Sequence, residues 1–571
     1  MSARQADFGP IPTSPLARMA YSLRRLPVFR SDVLIVGSGV AGLATALAAA
    51  DKGAHVMVLC KGRVHETNTY YAQGGIAAAM SREDDPELHA ADTVRLGYGL
   101  SDQQVVETIT DGAPEAMNWL LESGMSFDRD PSGELSLGME GGHRLPRILH
   151  SGGTATGKEL QRVLIARARQ HPNIDIYEGT AAVELLKDAE GTVTGLVALA
   201  RRGASGGFDP VLFEADSVVL ATGGGGQIFR ETTNPQLATA DGLAMALRAG
   251  VSVRDLEFVQ FHPTILYLAG AARFLISEVV RGEGAVLRDR NGNAFMADAH
   301  ADADLAPRDI VSRAIFRRMV EIGDTHVYLD LSAVSDPSKR FPALARIAAE
   351  FGISLEKDLI PVRPAVHYFV GGVATDLTGK TSVDGLFAVG ECASTAFHGA
   401  NRMGSNSLLE GLVHGRMVGE RLLDRPRNVR RFLSPHFPEE HRMPAAELHL
   451  ADMTYSLKSL MWRQVGIERD AAGLTDARER LDAWAGYLAR LGPFTPEGVE
   501  VMNMVHVAQA ITASAIFREE SRGAHFRSDF PNTMESWRVH TRLQSDGNRL
   551  RISAQPVPGY TASILPSSHD A

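Results

Sequence analysis

The sequence predicts a mixed α/β fold over most of its length and a helical part after about residue 436. Residues 32–36 form an apolar run typical of a buried parallel strand, and a glycine-rich turn leads from it into an alanine-rich helix at 43–50. A second apolar strand at 55–59 completes a βαβ unit. Near the C-terminus, apolar residues recur at helical spacing, as in 471–491.

Composition limits the possible functions. A chain of 571 residues should divide into two to four domains, and 44% apolar with 22% charged residues is typical of a soluble protein. The formal charge of −10 argues against a nucleic-acid binder, and no apolar run is long enough to predict a membrane span. Cys60 and Cys392 are too few for a disulfide framework or a zinc cluster, so we predict a reducing, cytoplasmic location and no metal.

The glycine-rich turn has the spacing of a dinucleotide site. Gly37 allows a tight turn, Gly39 lets the backbone approach a pyrophosphate, and Gly42 permits close packing of helix and strand. The helix that follows directs its N–H groups at the phosphates. No acidic residue ends the second strand, so Lys61 is a candidate for the adenosine end. Taken alone, the motif could also be a turn that binds no nucleotide.

Two further loops suit a flat ring system. Residues 68–76 place paired glycines after a polar stretch, and residues 401–411 carry a polar loop before a long helix. We expect Ser405 and its neighbours to cap this helix with their side chains, because Ser and Asn are preferred caps. The positive helix end could stabilise negative charge on a bound ring. An ordinary capped helix is the alternative.

Six motifs in order along residues 31–535 carry a family resemblance. They resemble the succinate dehydrogenase/fumarate reductase flavoprotein superfamily, and they are Val36-Gly37-Ser38-Gly39, Tyr71-Ala72-Gln73-Gly74-Gly75, Gln260-Phe261-His262-Pro263-Thr264, Arg281-Gly282-Glu283-Gly284, Ala306-Pro307-Arg308-Asp309 and His398-Gly399-Ala400-Asn401-Arg402. The resemblance implies a Rossmann-like FAD-binding domain in two segments (31–255 and 371–435), an inserted α+β capping domain (256–370) and a C-terminal helical bundle (436–555). Residues 1–30 would be a flexible extension and 556–571 a tail.

The resemblance also implies a cofactor site for non-covalent FAD. Respiratory succinate dehydrogenases bond FAD to a histidine at the position of Asn68, and an amide cannot form that bond. The implied FAD-binding residues are Gly37, Ser38, Gly39, Val40, Ala41, Gly42, Lys61, Asn68, Thr69, Tyr70, Tyr71, Ala72, Gln73, Gly74, Gly75, Asp241, Glu391, Ser407 and Leu408.

The implied substrate site combines cations with one acid. His262, Ser277, His367 and Arg402 match the family's carboxylate-binding set, and Arg308 matches the arginine of its proton transfer. Arginine suits a carboxylate because its paired donors match two oxygens. Three simpler interpretations stay open: His367 could be structural, Arg308 could pair with Asp309, and Glu140 could be a solvated loop acid.

Glu140 decides the expected substrate. An acid in Met139-Glu140-Gly141-Gly142-His143 resembles the branch of the superfamily that oxidises L-aspartate, where it lies near the substrate ammonium. This implies oxidation to iminoaspartate, reoxidation by dioxygen or fumarate, a role in quinolinate and NAD synthesis, and a possible transient contact with a quinolinate-forming enzyme. The alternatives are a fumarate reductase or succinate dehydrogenase flavoprotein subunit, and a flavoprotein that has lost catalysis.

Overall fold

The computed structural model describes residues 5–10, 26–203, 206–268, 274–424, 448–491, 495–545 and 549–558. Its strands are β1 (Gln5–Pro10), β2 (Val28–Val36), β3 (Val56–Leu59), β4 (Ile76–Ala77), β5 (Leu137–Gly138), β6 (Ile148–Leu149), β7 (Ile174–Tyr177), β8 (Thr180–Lys187), β9 (Val193–Arg202), β10 (Gly207–Leu220), β11 (Val253–Arg254), β12 (Val259–Leu266), β13 (Val286–Arg288), β14 (Val327–Asp330), β15 (Ile360–Phe369), β16 (Gly372–Ala374), β17 (Leu386–Ala388), β18 (Ala393–Ser394), β19 (Val539–Ser545) and β20 (Arg549–Pro556).

Its α-helices are α1 (Val40–Asp51), α2 (Asn68–Tyr71), α3 (Pro86–Leu96), α4 (Gln103–Asp111), α5 (Ala113–Glu122), α6 (Thr156–Gln170), α7 (Asp241–Arg248), α8 (Val279–Gly282), α9 (Met296–Ala299), α10 (Arg308–Ile322), α11 (Pro337–Arg340), α12 (Pro342–Glu350), α13 (Asn406–Gly419), α14 (Leu450–Gln464), α15 (Ala471–Leu491) and α16 (Pro496–Phe517).

The largest sheet carries the predicted βαβ unit. Its order is β7-β3-β2-β10-β9-β8, with β17 paired to β10, and β7, β3, β2, β10 and β17 run parallel. Helix α1 joins β2 to β3 and is buried along almost its whole length. Because β2 and β17 both flank β10, the two predicted segments of the FAD-binding region meet in one sheet. Their turns therefore open at the same sheet edge.

Helix α13 packs closely on α1, which explains the small residues in both helices. A Cβ atom on Gly415 would lie 2.7 Å from the carbonyl oxygen of Ala41, and one on Gly419 would lie 2.5 Å from that of Thr45. Those distances are well inside van der Waals contact, so larger residues would force the helices apart. The close contact fixes the start of α13 beside the glycine-rich turn.

A four-stranded sheet of order β12-β15-β14-β13 forms the inserted region, with its own apolar core. The β12–β15 ladder has two irregularities. Gln260 lies opposite Tyr368 and Phe261 opposite Val366, so His367 is the extra residue of a β-bulge. The second irregularity follows His262 on the neighbouring strand. Both predicted substrate histidines therefore lie beside bulges, which redirect side chains.

The C-terminal part is more mixed than the predicted helical bundle. Helices α14, α15 and α16 pack together, but the hairpin β19–β20 joins a second sheet of order β1-β20-β19-β11-β16-β18. Strand β1 also corrects the prediction that residues 1–30 are a flexible extension, since residues 5–10 pair with β20 and β2 begins at Val28. The predicted boundary at residue 436 and most of the tail lie outside the described residues.

Helix α16 is long and apolar enough to cross a membrane by composition alone. Most of its apolar stretch is buried against the rest of the protein, and its buried residues cover every face of the helix. A helix in the centre of a protein core is expected to be hydrophobic on every face. We assign its apolar character to that position.

A buried ion-pair cluster joins the C-terminal part to the strand that enters the inserted region. The Arg518 Nε atom donates to Glu257 at 2.6 Å, and its Nη1 atom donates to Glu520 at 2.9 Å. Glu257 also accepts a hydrogen bond from the Thr541 hydroxyl at 2.7 Å. Arg518, Glu257 and Glu520 are fully buried. Removing one charge would leave its partner without compensation in a dry environment.

We predict that Glu257→Ala lowers the free energy of unfolding by about 3–5 kcal/mol, because the buried Arg518 loses one of its two carboxylate partners and the Thr541 hydroxyl loses its acceptor. Urea denaturation of the holoprotein measures this. The matched control is Glu159→Ala, which removes a pair with the exposed Arg162 and should cost under about 1 kcal/mol. Equal small losses in both variants would contradict a structural role for the cluster.

Candidate active site

One cavity of about 1150 Å³ runs from the glycine-rich turn to the inserted sheet. It is lined by every predicted cofactor and substrate residue except Gly42 and Tyr70. Gly42 acts in packing, since a Cβ there would lie 2.1 Å from the carbonyl oxygen of Gly37. Tyr70 packs its ring against His65 and Tyr71 instead. The glycine-rich turn and the 401–411 loop, which are far apart in sequence, thus line the same cavity.

The turn after β2 needs glycine for conformation as well as space. Gly37 has φ +115°, and a Cβ there would lie 2.1 Å from the carbonyl oxygen of Ala221. The backbone from Gly37 to Ala41 lines the cavity beside the start of α1. The Val40 N–H also donates to the Thr69 hydroxyl at 3.0 Å, which joins the first helix to the second predicted loop.

The polar atoms of this wall fit a bound dinucleotide. Within the described residues, the Asn68 Oδ1 atom is buried without a hydrogen-bond partner, and Asn68 lines the cavity. Buried polar groups are normally satisfied, so this oxygen beside the cavity indicates a missing ligand. The Asn68 Nδ2 atom donates to Glu391 at 2.9 Å. The glycine cradle, the helix start and these atoms together are suited to FAD.

Lys61 lines the predicted adenosine end, and the structure adds partners that the sequence did not indicate. Its Nζ atom lies 2.8 Å from both Asp241 and Glu500, and 2.6 Å from the Thr239 hydroxyl. Burial raises the pKa of Asp241, but the neighbouring Lys61 ammonium outweighs it, so the pKa falls below its usual value. Glu500 lies on α16, and its contribution has no local sequence signal.

The start of α13 differs from the predicted capping. Ser405 has a left-handed backbone with φ +61°, and its hydroxyl donates to Glu140 at 2.9 Å and accepts from no N–H group of the first helical turn. The Asn406 side chain binds His89 and Thr93. The prediction that these side chains cap α13 is therefore wrong. Ser407 and Leu408 line the cavity, so the positive end of α13 is directed at it.

The substrate end brings two arginines together. The side chains of Arg308 and Arg402 share Gln260, whose Oε1 atom accepts from Arg308 at 3.2 Å and from Arg402 at 3.0 Å and 3.2 Å. Arg402 also stacks on the Tyr368 ring at 4.5 Å and donates to the Ser407 hydroxyl at 3.0 Å. Burial and the charge of Arg308 lower the pKa of Arg402 to about 10.

Glu278 holds Arg308 in place, and the sequence did not single it out. The Arg308 Nε atom donates to Glu278 at 2.8 Å, and the Arg281 Nη2 atom reaches the same carboxylate oxygen at 3.2 Å. Burial raises the pKa of Glu278, but the two guanidinium groups outweigh this and hold it below its usual value. Asp309 instead accepts from Asn401 at 3.1 Å. The simpler interpretation, an Arg308–Asp309 pair, is wrong.

Glu140 is buried, which excludes the interpretation of a solvated loop acid. Its carboxylate and the Arg308 guanidinium flank Gly404. A Cβ on Gly404 would lie 2.4 Å from Glu140 Oε2 and 3.2 Å from Arg308 Nη2. The cavity therefore contains a carboxylate beside its two arginines. Ser277 also lines this end of the cavity.

The two histidines are neutral. The His262 and His367 rings lie 5.4 Å apart and face the cavity. Burial lowers the pKa of His262 well below its usual value, and the charges of Arg308 and Arg281 lower it further. Burial and the charge of Arg402 lower the pKa of His367 in the same way. Uncharged imidazoles at neutral pH donate only through the nitrogen that carries the proton.

Comparison with known proteins agrees with this arrangement. The FAD binding domain family matches residues 32–408, and the fumarate reductase flavoprotein C-terminal family matches residues 454–570. L-Aspartate oxidase of Streptomyces coelicolor is 40% identical over 94% of this chain and 95% of its own length. That of Yersinia pestis is 41% identical over 89% and 97%.

Among solved structures, a variant of E. coli quinol fumarate reductase aligns with a TM-score of 0.84 at 30% identity, over 95% of this chain and 99% of its own. A quinol-fumarate reductase with menaquinol molecules aligns with the same TM-score at 31% identity, over 95% and 100%. The cofactor is FAD. The chain belongs to the L-aspartate oxidase family of the succinate dehydrogenase/fumarate reductase flavoprotein superfamily.

Proposed function

We propose that the protein oxidises L-aspartate to iminoaspartate with FAD and passes the electrons to dioxygen, giving hydrogen peroxide, or to fumarate. The observation that carries this proposal is the buried Glu140 carboxylate beside Arg308. L-Aspartate has two carboxylates and an ammonium, and a cavity with several cationic or N–H donors and one acid complements all three. The relatives named L-aspartate oxidase support the same reading.

Bound FAD supplies the redox chemistry by accepting the two electrons of the substrate Cα–H bond as a hydride. Within the chain, the residues proposed for FAD are those of the glycine-rich turn, the 68–75 loop, Lys61, Asp241, Glu391, and the start of α13. We propose non-covalent binding, because the Asn68 amide is no nucleophile and already donates to Glu391. The positive end of α13 favours negative charge on the cofactor.

The substrate carboxylates would bind Arg402, His262, His367 and Ser277. The guanidinium of Arg402 is held by Gln260 and Tyr368, so little side-chain freedom is lost on binding. Neutral histidines add directional N–H donors without adding charge. We assign the ammonium to Glu140, whose carboxylate is fixed by the Ser405 hydroxyl.

Arg308 would lie closest to the reacting carbons and donate the proton that a carbon of fumarate gains on reduction. An arginine rarely releases a proton because its pKa exceeds ~12. Here it donates to Glu278, which also reaches Arg281. A chain of alternating guanidinium and carboxylate groups can move a proton without creating an isolated charge. We propose that Arg308, Glu278 and Arg281 carry the proton that fumarate reduction requires.

The second candidate is a fumarate reductase or succinate dehydrogenase flavoprotein, which the solved fumarate reductases favour. Such an enzyme needs the arginines and histidines but has no use for Glu140. We also propose a cytoplasmic location and a place in NAD synthesis through quinolinate. Because imines hydrolyse readily in water, a transient contact with a quinolinate-forming enzyme would protect the product.

Anaerobic titration of the oxidised holoprotein tests the proposed function. L-Aspartate should bleach the flavin absorbance, and D-aspartate and succinate should leave it nearly unchanged. Photoreduced protein should be reoxidised by fumarate and by dioxygen. Bleaching by succinate alone would favour the second candidate. A flavin that responds to none of these compounds would support a flavoprotein that has lost catalysis.

We predict that Arg308→Leu retains FAD but lowers turnover at least about a hundredfold, because a group close to the reacting carbons is lost. Visible absorbance and peroxide release measure the two properties. Arg313→Leu is the matched control on the same helix, since Arg313 stacks on Phe526, and it should retain turnover. Undiminished activity in Arg308→Leu would refute the assignment.

Glu140→Gln should raise KM for L-aspartate about tenfold or more, since a charged hydrogen bond to the ammonium is lost. Fumarate has no amine, so its reduction should change much less. The control, Glu134→Gln, alters an exposed acid of the same segment and should affect neither substrate. Equal losses for aspartate and fumarate would count against the proposed contact with the amine.

A further inference from the structure

His367 has a hydrogen-bond partner at its Nδ1 atom, in a loop that lines the same cavity. Its Nδ1 atom lies 3.0 Å from the Thr233 hydroxyl. Thr233 lies in the loop between β10 and α7, which Gln227 holds through the carbonyl oxygens of Asn234 and Pro235. The Asn234 amide in turn donates to the carbonyl oxygen of His367 at 3.1 Å. The loop therefore holds both the backbone and the ring of His367.

The direction of the Thr233–His367 hydrogen bond follows from its surroundings. Within the described parts of the chain, the one other acceptor in reach of the Thr233 hydroxyl is the Val366 carbonyl oxygen at 3.4 Å. That oxygen already accepts from the Thr233 backbone N–H at 3.0 Å and from the Thr232 hydroxyl at 3.2 Å. A carbonyl oxygen has two lone pairs, and both are used. The Thr233 proton is thus directed at Nδ1 of His367.

The Nδ1 atom of His262 also accepts a hydrogen bond, but from the main chain rather than from a side chain. The backbone N–H of Thr264 donates to its Nδ1 atom at 3.3 Å, and a backbone N–H can only donate. In a neutral imidazole whose Nδ1 accepts, Nε2 carries the proton. The tautomer of His262 is therefore set by the main chain, and a side-chain substitution cannot remove that donor.

We infer that Thr233 is the positioning residue that sets the tautomer of His367, so that both histidines present an Nε2 proton to the substrate carboxylates. This inference rests on the proposed function for the identity of the ligand, but not for the tautomer itself. A neutral imidazole with its proton on Nδ1 would turn a lone pair toward a carboxylate and repel it. A donor fixed at Nδ1 makes an uncharged histidine a reliable donor at Nε2.

The test compares Thr233→Val with Thr233→Ser in the resting holoprotein. Nuclear magnetic resonance of nitrogen-labelled histidine, with the His367 signals identified by their loss in His367→Gln, reports which ring nitrogen carries the proton. In the native protein and in Thr233→Ser the proton should lie on Nε2. In Thr233→Val the two tautomers should mix, and the KM for L-aspartate should rise about three- to tenfold with kcat changed less.

An Nε2 proton that persists fully in Thr233→Val would overturn the inference, as would a native His367 protonated on Nδ1. If Thr233 had only a structural role, Thr233→Val would lower stability and leave the His367 signals unchanged. Thr233→Ser and Thr233→Val would then give the same His367 signals. The resonance measurement needs no substrate. Failure of the proposed function would give a different result. The native protein would still carry the His367 proton on Nε2, but its flavin would not respond to L-aspartate.

Discussion

The site depends on holding Arg308 and Arg402 side by side in a buried cavity. Burial disfavours the charged form of Arg402, and repulsion from Arg308 adds to this, so the pKa of Arg402 is lowered. Glu278 and the shared Gln260 oxygen keep Arg308 and its neighbour in place despite the repulsion. The donors of both guanidinium groups then remain available to the carboxylates of a substrate, and the Glu140 carboxylate beside them can accept from an ammonium.

The same charges determine the state of the other groups. Burial lowers the pKa values of His262 and His367 and the arginine charges lower them further, so each histidine is a neutral donor whose direction depends on its tautomer. In this account, the arginines set affinity for the carboxylates, and Glu140 sets the preference for an amino acid over succinate.

Sequence patterns predicted the local features well. The βαβ unit and its glycine turn depend on residues close in the chain, and the long helix at 471–491 follows from apolar spacing. The structure also brings the predicted cofactor and substrate residues to one cavity, apart from Gly42 and Tyr70. In the sequence, only the family resemblance indicated that these separate motifs belong to one site.

What the sequence could not predict involves partners distant in the chain. Arg308 was considered with its neighbour Asp309, yet it binds Glu278, thirty residues earlier. Glu500 reaches Lys61 from a helix at the other end of the chain. Ser405 matched the preference for a helix cap, but its left-handed backbone turns the hydroxyl to Glu140. Strand β1 pairs with a hairpin near the C-terminus. The conformational preferences of neighbouring residues do not predict any of these contacts.

The most direct test of the charge arrangement is a crystal structure of the photoreduced holoprotein with L-aspartate bound under anaerobic conditions, because a reduced flavin accepts no hydride and the substrate stays intact. The account predicts the ammonium nitrogen within about 3.2 Å of the Glu140 carboxylate, with a substrate carboxylate on Arg402. An ammonium directed away from Glu140, with that acid turned to another partner, would contradict it.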